Sequence, residues 1–306
     1  MQFVAIKTCS MKKIIIAILF ILPFLAAGQK TDKKLQTKLQ DVIIGFNGDI
    51  GIYVKNLRTG KTVSINADTI FPTASIVKVP ILLGVIDKLN KGELNYDSSL
   101  VYKDSLLYEG SDILGSFKSD EKIVLKKLIM LMLTTSDNTA SLWLQSLAGK
   151  GTRINEILDS LGCKSTRVNS RTPGRENNRA QYGWGQTTPK EMGTIFEKIY
   201  RNEIFSPASC ERMMRCLSRN FWDAEALSQT PPYIAVFSKN GAVNASRSEV
   251  LLVNAVHNPY IFCIFTKNNK DISWGDNNEA WVLTRKIARK LWNYFEREDT
   301  WQPPVR

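Results

Sequence analysis

The sequence predicts an α/β protein of the α+β type: an antiparallel sheet flanked by terminal helices, with an all-helical domain inserted between its strands. Three observations carry this prediction. Alternating apolar residues, the period of a half-buried strand, occur near the start of the chain at Ile50, Ile52 and Val54, and strand-like runs return between Tyr233 and Lys267. The segments between them repeat apolar residues at helical spacing. Helical patterns also open and close the chain, over Lys30–Phe46 and Asn277–Phe295. A sheet assembled from both ends of a chain, with a helical block inserted, satisfies this order. The expected division is a signal peptide over 1–28, a sheet domain over 29–70 and 205–306, and a helical domain over 71–204.

Each element has a local reason. Leu35, Leu39, Val42 and Ile43 give the first helix its apolar face. Asp49–Leu57 and Thr62–Asn66, joined by Arg58-Thr-Gly-Lys61, read as a hairpin. Gly60-Lys61-Thr62 mimics the end of a phosphate loop, but Lys55 stands where that motif requires its first glycine. Ala74–Leu89 predicts a helix, against which Pro80 counts mildly. Tyr108–Asp112 reads as a rim loop, and Ile123–Leu133 as a buried helix. Thr139–Leu147, Thr152–Leu161, Pro189–Arg201 and Pro207–Leu217 follow as helices. Thr166–Thr188 has no apolar period and carries Arg167, Arg171, Arg175 and Arg179, which read as solvated loop charge because Pro173-Gly174 opposes a continuous helix. The last strands span Tyr233–Ser238, Arg247–His257 and Tyr260–Lys267, with Asn240-Gly241 and Asn258-Pro259 as turns.

Composition narrows the function. A chain of 306 residues with 43% hydrophobic content can bury a large core. Met11-Lys-Lys13, the apolar run Ile14–Leu25 and Ala26-Ala-Gly-Gln29 form the pattern of an export leader, implying a periplasmic or secreted protein. Removing Lys7, Lys12 and Lys13 from the 41 basic residues leaves 38 against 29 acidic ones, net +9. Such a surface suits anionic ligands, lipids or wall polymer. The leader and the absence of a matching motif argue against nucleic acid. Cys9 falls in the leader, and Cys163, Cys210, Cys216 and Cys263 have no Cys-x-x-Cys spacing, though they could form disulfides if exported. His257 is the single histidine, which excludes a histidine-rich metal site. We expect no metal, no cofactor and a monomer.

Three short groups carry the chemistry. Ser75 and Lys78 stand one helical turn apart, where an amine of lowered pKa could take the serine proton. Ser136-Asp137-Asn138 interrupts the buried helical region; taken alone it reads as a helix cap. Lys239-Asn240-Gly241 lies on or after a strand. In order and spacing these resemble the Ser-x-x-Lys, Ser-Asp-Asn and Lys-Thr-Gly groups of the serine penicillin-recognising enzymes, above all class A β-lactamases. The resemblance runs from the first hairpin to the last helix, and includes Phe71-Pro72 and Thr187-Thr-Pro189. It implies a β-lactamase/transpeptidase-like fold and a hydrolase acting on β-lactam or peptidoglycan-like substrates through an acyl-enzyme. Ser75 would be the nucleophile, Lys78 its base, and Ser136 the proton donor to the leaving nitrogen. Asn138 and Asn240 would contact substrate, the Ser75 and Ala242 amides would form the oxyanion hole, and Lys239 and Arg247 would attract the carboxylate.

The pattern departs from the family at two places. Asn240 stands where threonine or serine is usual. The glutamate that activates the deacylating water aligns with Thr172, and the only acid in that loop is Glu176. Either Glu176 takes that role, or deacylation of β-lactams is slow and the protein resembles a D,D-peptidase or another small amide or ester hydrolase. A non-catalytic penicillin-interactive protein is the third reading.

Overall fold

The computed structural model describes residues 30–110 and 113–304. The leader expected over 1–28, Cys9, and Ser111-Asp112 of the rim loop lie outside the described residues. The fold is mixed α/β, built on a five-stranded antiparallel sheet. Its strands are β1 (Asp49–Asn56), β2 (Thr62–Ile65), β8 (Val236–Val243), β9 (Ser246–Val253) and β10 (Tyr260–Lys267), in the order β2-β1-β10-β9-β8. The two ends of the chain meet in its middle, where β1 pairs with β10 from Asp49 opposite Lys267 to Asn56 opposite Tyr260.

Alternation along these strands separates two apolar layers. Ile52, Val54, Leu251, Val253, Phe262 and Ile264 face the terminal helices α1 (Lys33–Ile43) and α9 (Glu279–Phe295), where Leu35, Leu39, Ile287 and Leu291 complete the layer. Tyr53, Val250, Leu252, Ile261, Cys263 and Phe265 face the helical block. That block comprises α2 (Lys78–Asn90), α3 (Leu125–Met130), α4 (Asn138–Leu147), α5 (Lys150–Ser160), α6 (Glu176–Tyr182), α7 (Pro189–Tyr200) and α8 (Pro207–Leu217). Small strands tie its connections: β3 (Phe71–Pro72), β7 (Gly185–Thr187) and β6 (Arg167–Val168) in one sheet, β4 (Ser99–Val101) and β5 (Lys122–Val124) in another.

Several expectations need correction. The helix expected from Ala74 begins as a 3-10 turn over Ala74–Val77 and becomes α-helical at Lys78. Pro80 thereby falls in the first α-helical turn, where a missing N–H is tolerated. Ile123 and Val124 pair with β4 as strand, so the buried helix starts only at Leu125 and widens into a π-helical turn over Leu131–Thr135. Asn240-Gly241 is not a turn: both residues lie within β8, and the hairpin turns at Asn244-Ala245, where Asn244 takes φ +43°. The arginine-rich segment is partly ordered by its charges. Arg167 donates to the Cys163 and Thr166 carbonyls and pairs with Asp159, while Arg175 donates to Asn169 (3.0 Å) and Gln186 (2.8 Å). They act as pins holding the loop. Helix α6 within that loop buries none of its residues, which is why it left no apolar period in the sequence. Cys163, Cys210, Cys216 and Cys263 are buried free thiols.

Two positions show how tightly the halves are joined. At Gly51, in β1, a Cβ would lie 2.5 Å from the Phe71 ring and 2.9 Å from Pro189 Cγ, so only glycine lets the sheet meet these two neighbours. Asp137 is fully buried and accepts from the main-chain N–H of Ile113 (2.6 Å), Leu114 (3.0 Å) and Ala140 (2.7 Å), capping α4 and holding the rim connection to it. Gly51→Ala is expected to cost roughly 1–3 kcal/mol through overpacking. Asp137→Ala, which strands the buried Leu114 and Ala140 donors and frees that of Ile113, is expected to cost roughly 3 kcal/mol or more. Urea unfolding midpoints at constant slope check both.

Candidate active site

The 3-10 turn carrying Ser75, the turn after the π-helical segment and the edge strand β8 converge on one cavity of about 560 Å³. Ser75, Gly110, Ser136, Asn138, Asn240 and Ala242 line it. The residue before the serine, Ala74, is held at φ +44°, a strained value for a residue with a side chain. Ser136 adopts the left-handed conformation at φ +62°, which ends the π-helical turn and leaves Asp137 and Asn138 to start α4. Gly241 explains the third approach. A Cβ there would lie 2.6 Å from the Thr73 carbonyl oxygen and 2.9 Å from the Ser75 amide nitrogen. The strand therefore passes against the serine turn at main-chain distance.

Lys78 is the centre of this constellation. Its Nζ lies within hydrogen-bond distance of Ser75 Oγ (3.1 Å), Ser136 Oγ (2.9 Å), the Ser136 carbonyl (2.5 Å) and Asn138 Oδ1 (2.9 Å), and the side chain is fully buried. Burial holds its pKa well below the usual lysine range; the Lys239 charge pushes the same way, and Asp137 opposes them. An amine so placed, once neutral, is a base within reach of two hydroxyls.

Lys239 is also fully buried, beneath the cavity wall, and donates to the carbonyl (3.0 Å) and side-chain oxygen (3.3 Å) of Asn240. Burial lowers its pKa to about 7. Sequence reasoning missed its neighbour Glu249, which is fully buried opposite Asn240 in the β8–β9 pair and accepts the Ala226 N–H at 2.8 Å. Burial pushes this carboxyl up to about 8, so near neutral pH it is largely an uncharged acid and offers Lys239 little compensation. The available signal was one acidic residue between Arg247 and the apolar Leu251 and Val253 on one strand face.

Two expected site residues, Arg247 and Glu176, stand apart from the cavity, as does Thr172, the position aligned with the family's glutamate. Arg247 is buried, with its guanidinium donating to the carbonyls of Asn244, Ser246, Ile272 and Ser273 and lying 4.4 Å from the Trp274 ring centre. It supports the cavity wall from behind. Glu176 is exposed, and its carboxylate accepts the Gly174 N–H at 3.1 Å. Thr172, the aligned position, donates to the Ser170 carbonyl and packs against Gly151. Neither lines the cavity. His257 pairs with Glu296 in a separate recess. Trp184 packs edge-to-face on Tyr108, ring centres 5.0 Å apart, joining the two loops beside the site. Trp222, Trp274 and Trp281, not among the expected site residues, also line the cavity.

Comparison with known proteins gives the family and the fold. A family model described as the β-lactamase enzyme family matches residues 34–295. The chain is similar to β-lactamase VEB-1 of Pseudomonas aeruginosa, 23% identical over 93% of this chain and 98% of that protein. Among solved structures it resembles PBP-A, with 22% identity, a TM-score of 0.78 and coverage of 88% of this chain and 98% of that one. It also resembles a β-lactamase from Chitinophaga pinensis DSM 2588, with 19% identity, a TM-score of 0.75 and coverage of 85% and 99%. The chain belongs to the β-lactamase enzyme family and is a serine β-lactamase-like hydrolase.

Proposed function

We propose that β-lactams acylate Ser75 readily and that the resulting ester is released slowly. The observation that carries this reading is the buried Lys78 amine, which bonds Ser75 Oγ and Ser136 Oγ at once. Neutral Lys78 takes the Ser75 proton as Oγ attacks the lactam carbonyl. The oxyanion is held by the amides of Ser75 and Ala242, each such donor being worth roughly 3 kcal/mol of barrier. As the C–N bond breaks, Ser136 gives its proton to the leaving nitrogen and regains one from Lys78. Asn138 fixes the Lys78 amine, and Lys239 attracts the substrate carboxylate. Asn240 turns its oxygen to Lys239, which leaves its amide nitrogen as a donor to that carboxylate.

The slow release step is supported by the loop: neither Thr172 nor Glu176 presents a carboxylate to the cavity. This favours a second reading for the natural substrate, a D-Ala-D-Ala-type peptide or another small amide or ester. One fold neighbour, a PBP-A variant, is described as an acyl-enzyme complex with penicillin G. We further propose that the protein is exported and acts as a monomer. No described helix is long and apolar enough to cross a membrane.

Intact-protein mass spectrometry after mixing with a penicillin is expected to show a persistent adduct on Ser75 that is absent in Ser75→Ala. A chromogenic β-lactam should show a stoichiometric burst followed by slow turnover. Glu176→Gln is expected to leave the release rate within about twofold; a tenfold fall, or about 1.4 kcal/mol, would make Glu176 the base after all. The pH profile follows from Lys239: its charge is lost as pH rises through about 7, so the concentration giving half-maximal acylation should rise above that pH. A profile flat from pH 6 to 9 would remove Lys239 from carboxylate binding.

A further inference from the structure

We infer that the cavity selects substrates bearing a fixed or protonated amine beside the carboxylate, and that Asp276 with the indoles of Trp222 and Trp274 recognises it. The inference rests on the acylation reading above and names the substrate class for that site. The cavity wraps around the free edge of β8, and its far wall holds Trp222, Trp274, Trp281, Glu225 and Asp276.

Two of these indoles are held open to solvent. Trp274 is 69% exposed and Trp222 is 42% exposed, although aromatic surface of this size gains most from burial. Both are fixed in place. Trp222 donates its indole N–H to the Thr135 carbonyl at 2.9 Å, next to Ser136, and meets Phe221 edge-on. Trp274 rests by one face on the Arg247 guanidinium, which four carbonyls immobilise. Its other face is left for a ligand.

The charges of this wall are unequal. Glu225 is neutralised by Arg285 at 2.5 Å, and Arg285 also donates to the main-chain carbonyl of Asp276. The Asp276 carboxylate itself has no ion-pair partner among the described residues, in a chain whose basic residues outnumber acidic ones 41 to 29. An open carboxylate beside exposed indole faces is suited to an ammonium or pyridinium group, which gains from both the charge and the ring quadrupole. Lys239 lies behind Asn240 on the same strand edge, so the wall and floor together fit a dipolar ligand: carboxylate toward Lys239, cation toward Asp276. Because Trp222 is anchored next to Ser136, the cation belongs on the carboxylate-bearing ring and not on the acyl arm.

Two cephalosporins that share a thienylacetyl arm test this, one with a pyridiniomethyl and the other with an acetoxymethyl group on the carboxylate-bearing ring. Second-order rates of Ser75 adduct formation, read by intact mass, are expected to favour the pyridinium compound about tenfold at low salt, as expected for about 1.4 kcal/mol. Asp276→Asn should bring the ratio close to one, Trp274→Leu should lower it, and added salt should compress it in the native protein. Equal rates for the two compounds, or a ratio untouched by Asp276→Asn, overturn the inference while leaving acylation intact. Absence of any Ser75 adduct with both compounds overturns the acylation reading and the inference together.

Discussion

A lysine amine removed from water is the constraint on which this structure depends. Lys78 begins α2 and its amine reaches four oxygens from Ser75, Ser136 and Asn138, two segments about sixty residues apart in the chain. A buried ammonium without partners would be too costly to keep. Those oxygens must therefore be delivered accurately, and the neighbouring irregularities serve that delivery. The π-helical turn and left-handed Ser136 present a carbonyl and a hydroxyl together, while Asp137 locks the following helix start. The same burial holds the amine's pKa well below the usual lysine range, so the features that hold the fold together here also suit it to the role of base proposed above.

The second buried lysine works by a different balance. Lys239 has a carboxyl nearby, yet Glu249 is itself so deeply buried that its proton is retained near neutral pH. Two desolvated groups of opposite kind thus move toward each other in pKa and lose much of their mutual attraction. In the proposed reading, a ligand carboxylate entering from solvent supplies charge that the protein withholds, which would make the site more attractive to anions when empty than a fully paired lysine would be.

Much of this was legible in the sequence where periodicity and turn chemistry agree. The strand Tyr260–Lys267 and the helix Pro207–Leu217 have the expected bounds, because apolar period, proline and strand alternation all point one way there. The three motif groups were legible as well, and the fold brings their Ser75, Lys78, Ser136 and Asn138 into one network. What failed did so for physical reasons. Asn240-Gly241 has turn composition, but its glycine serves close packing against Ser75 and not a positive φ. Arg247 has the spacing of a ligand anchor, yet local carbonyls take its donors. Glu176 was singled out as the only acid in its loop, and solvent claims it. Sequence can give the inventory of charges; it cannot say which are turned inward.

The four thiols have a consequence for how long the protein lasts. Cys163, Cys210, Cys216 and Cys263 are all buried, and desolvation raises each thiol, Cys163 to about 12. In the native state almost none is present as thiolate, the species that reacts, so these four thiols are shielded from oxidation while the fold is intact. Unfolding would expose all four at once, and in an oxidising medium they would cross-link into disulfides that the native fold does not contain. Return to the native state would then be blocked, and survival would be governed by the rate of the first unfolding event instead of by the equilibrium between folded and unfolded forms.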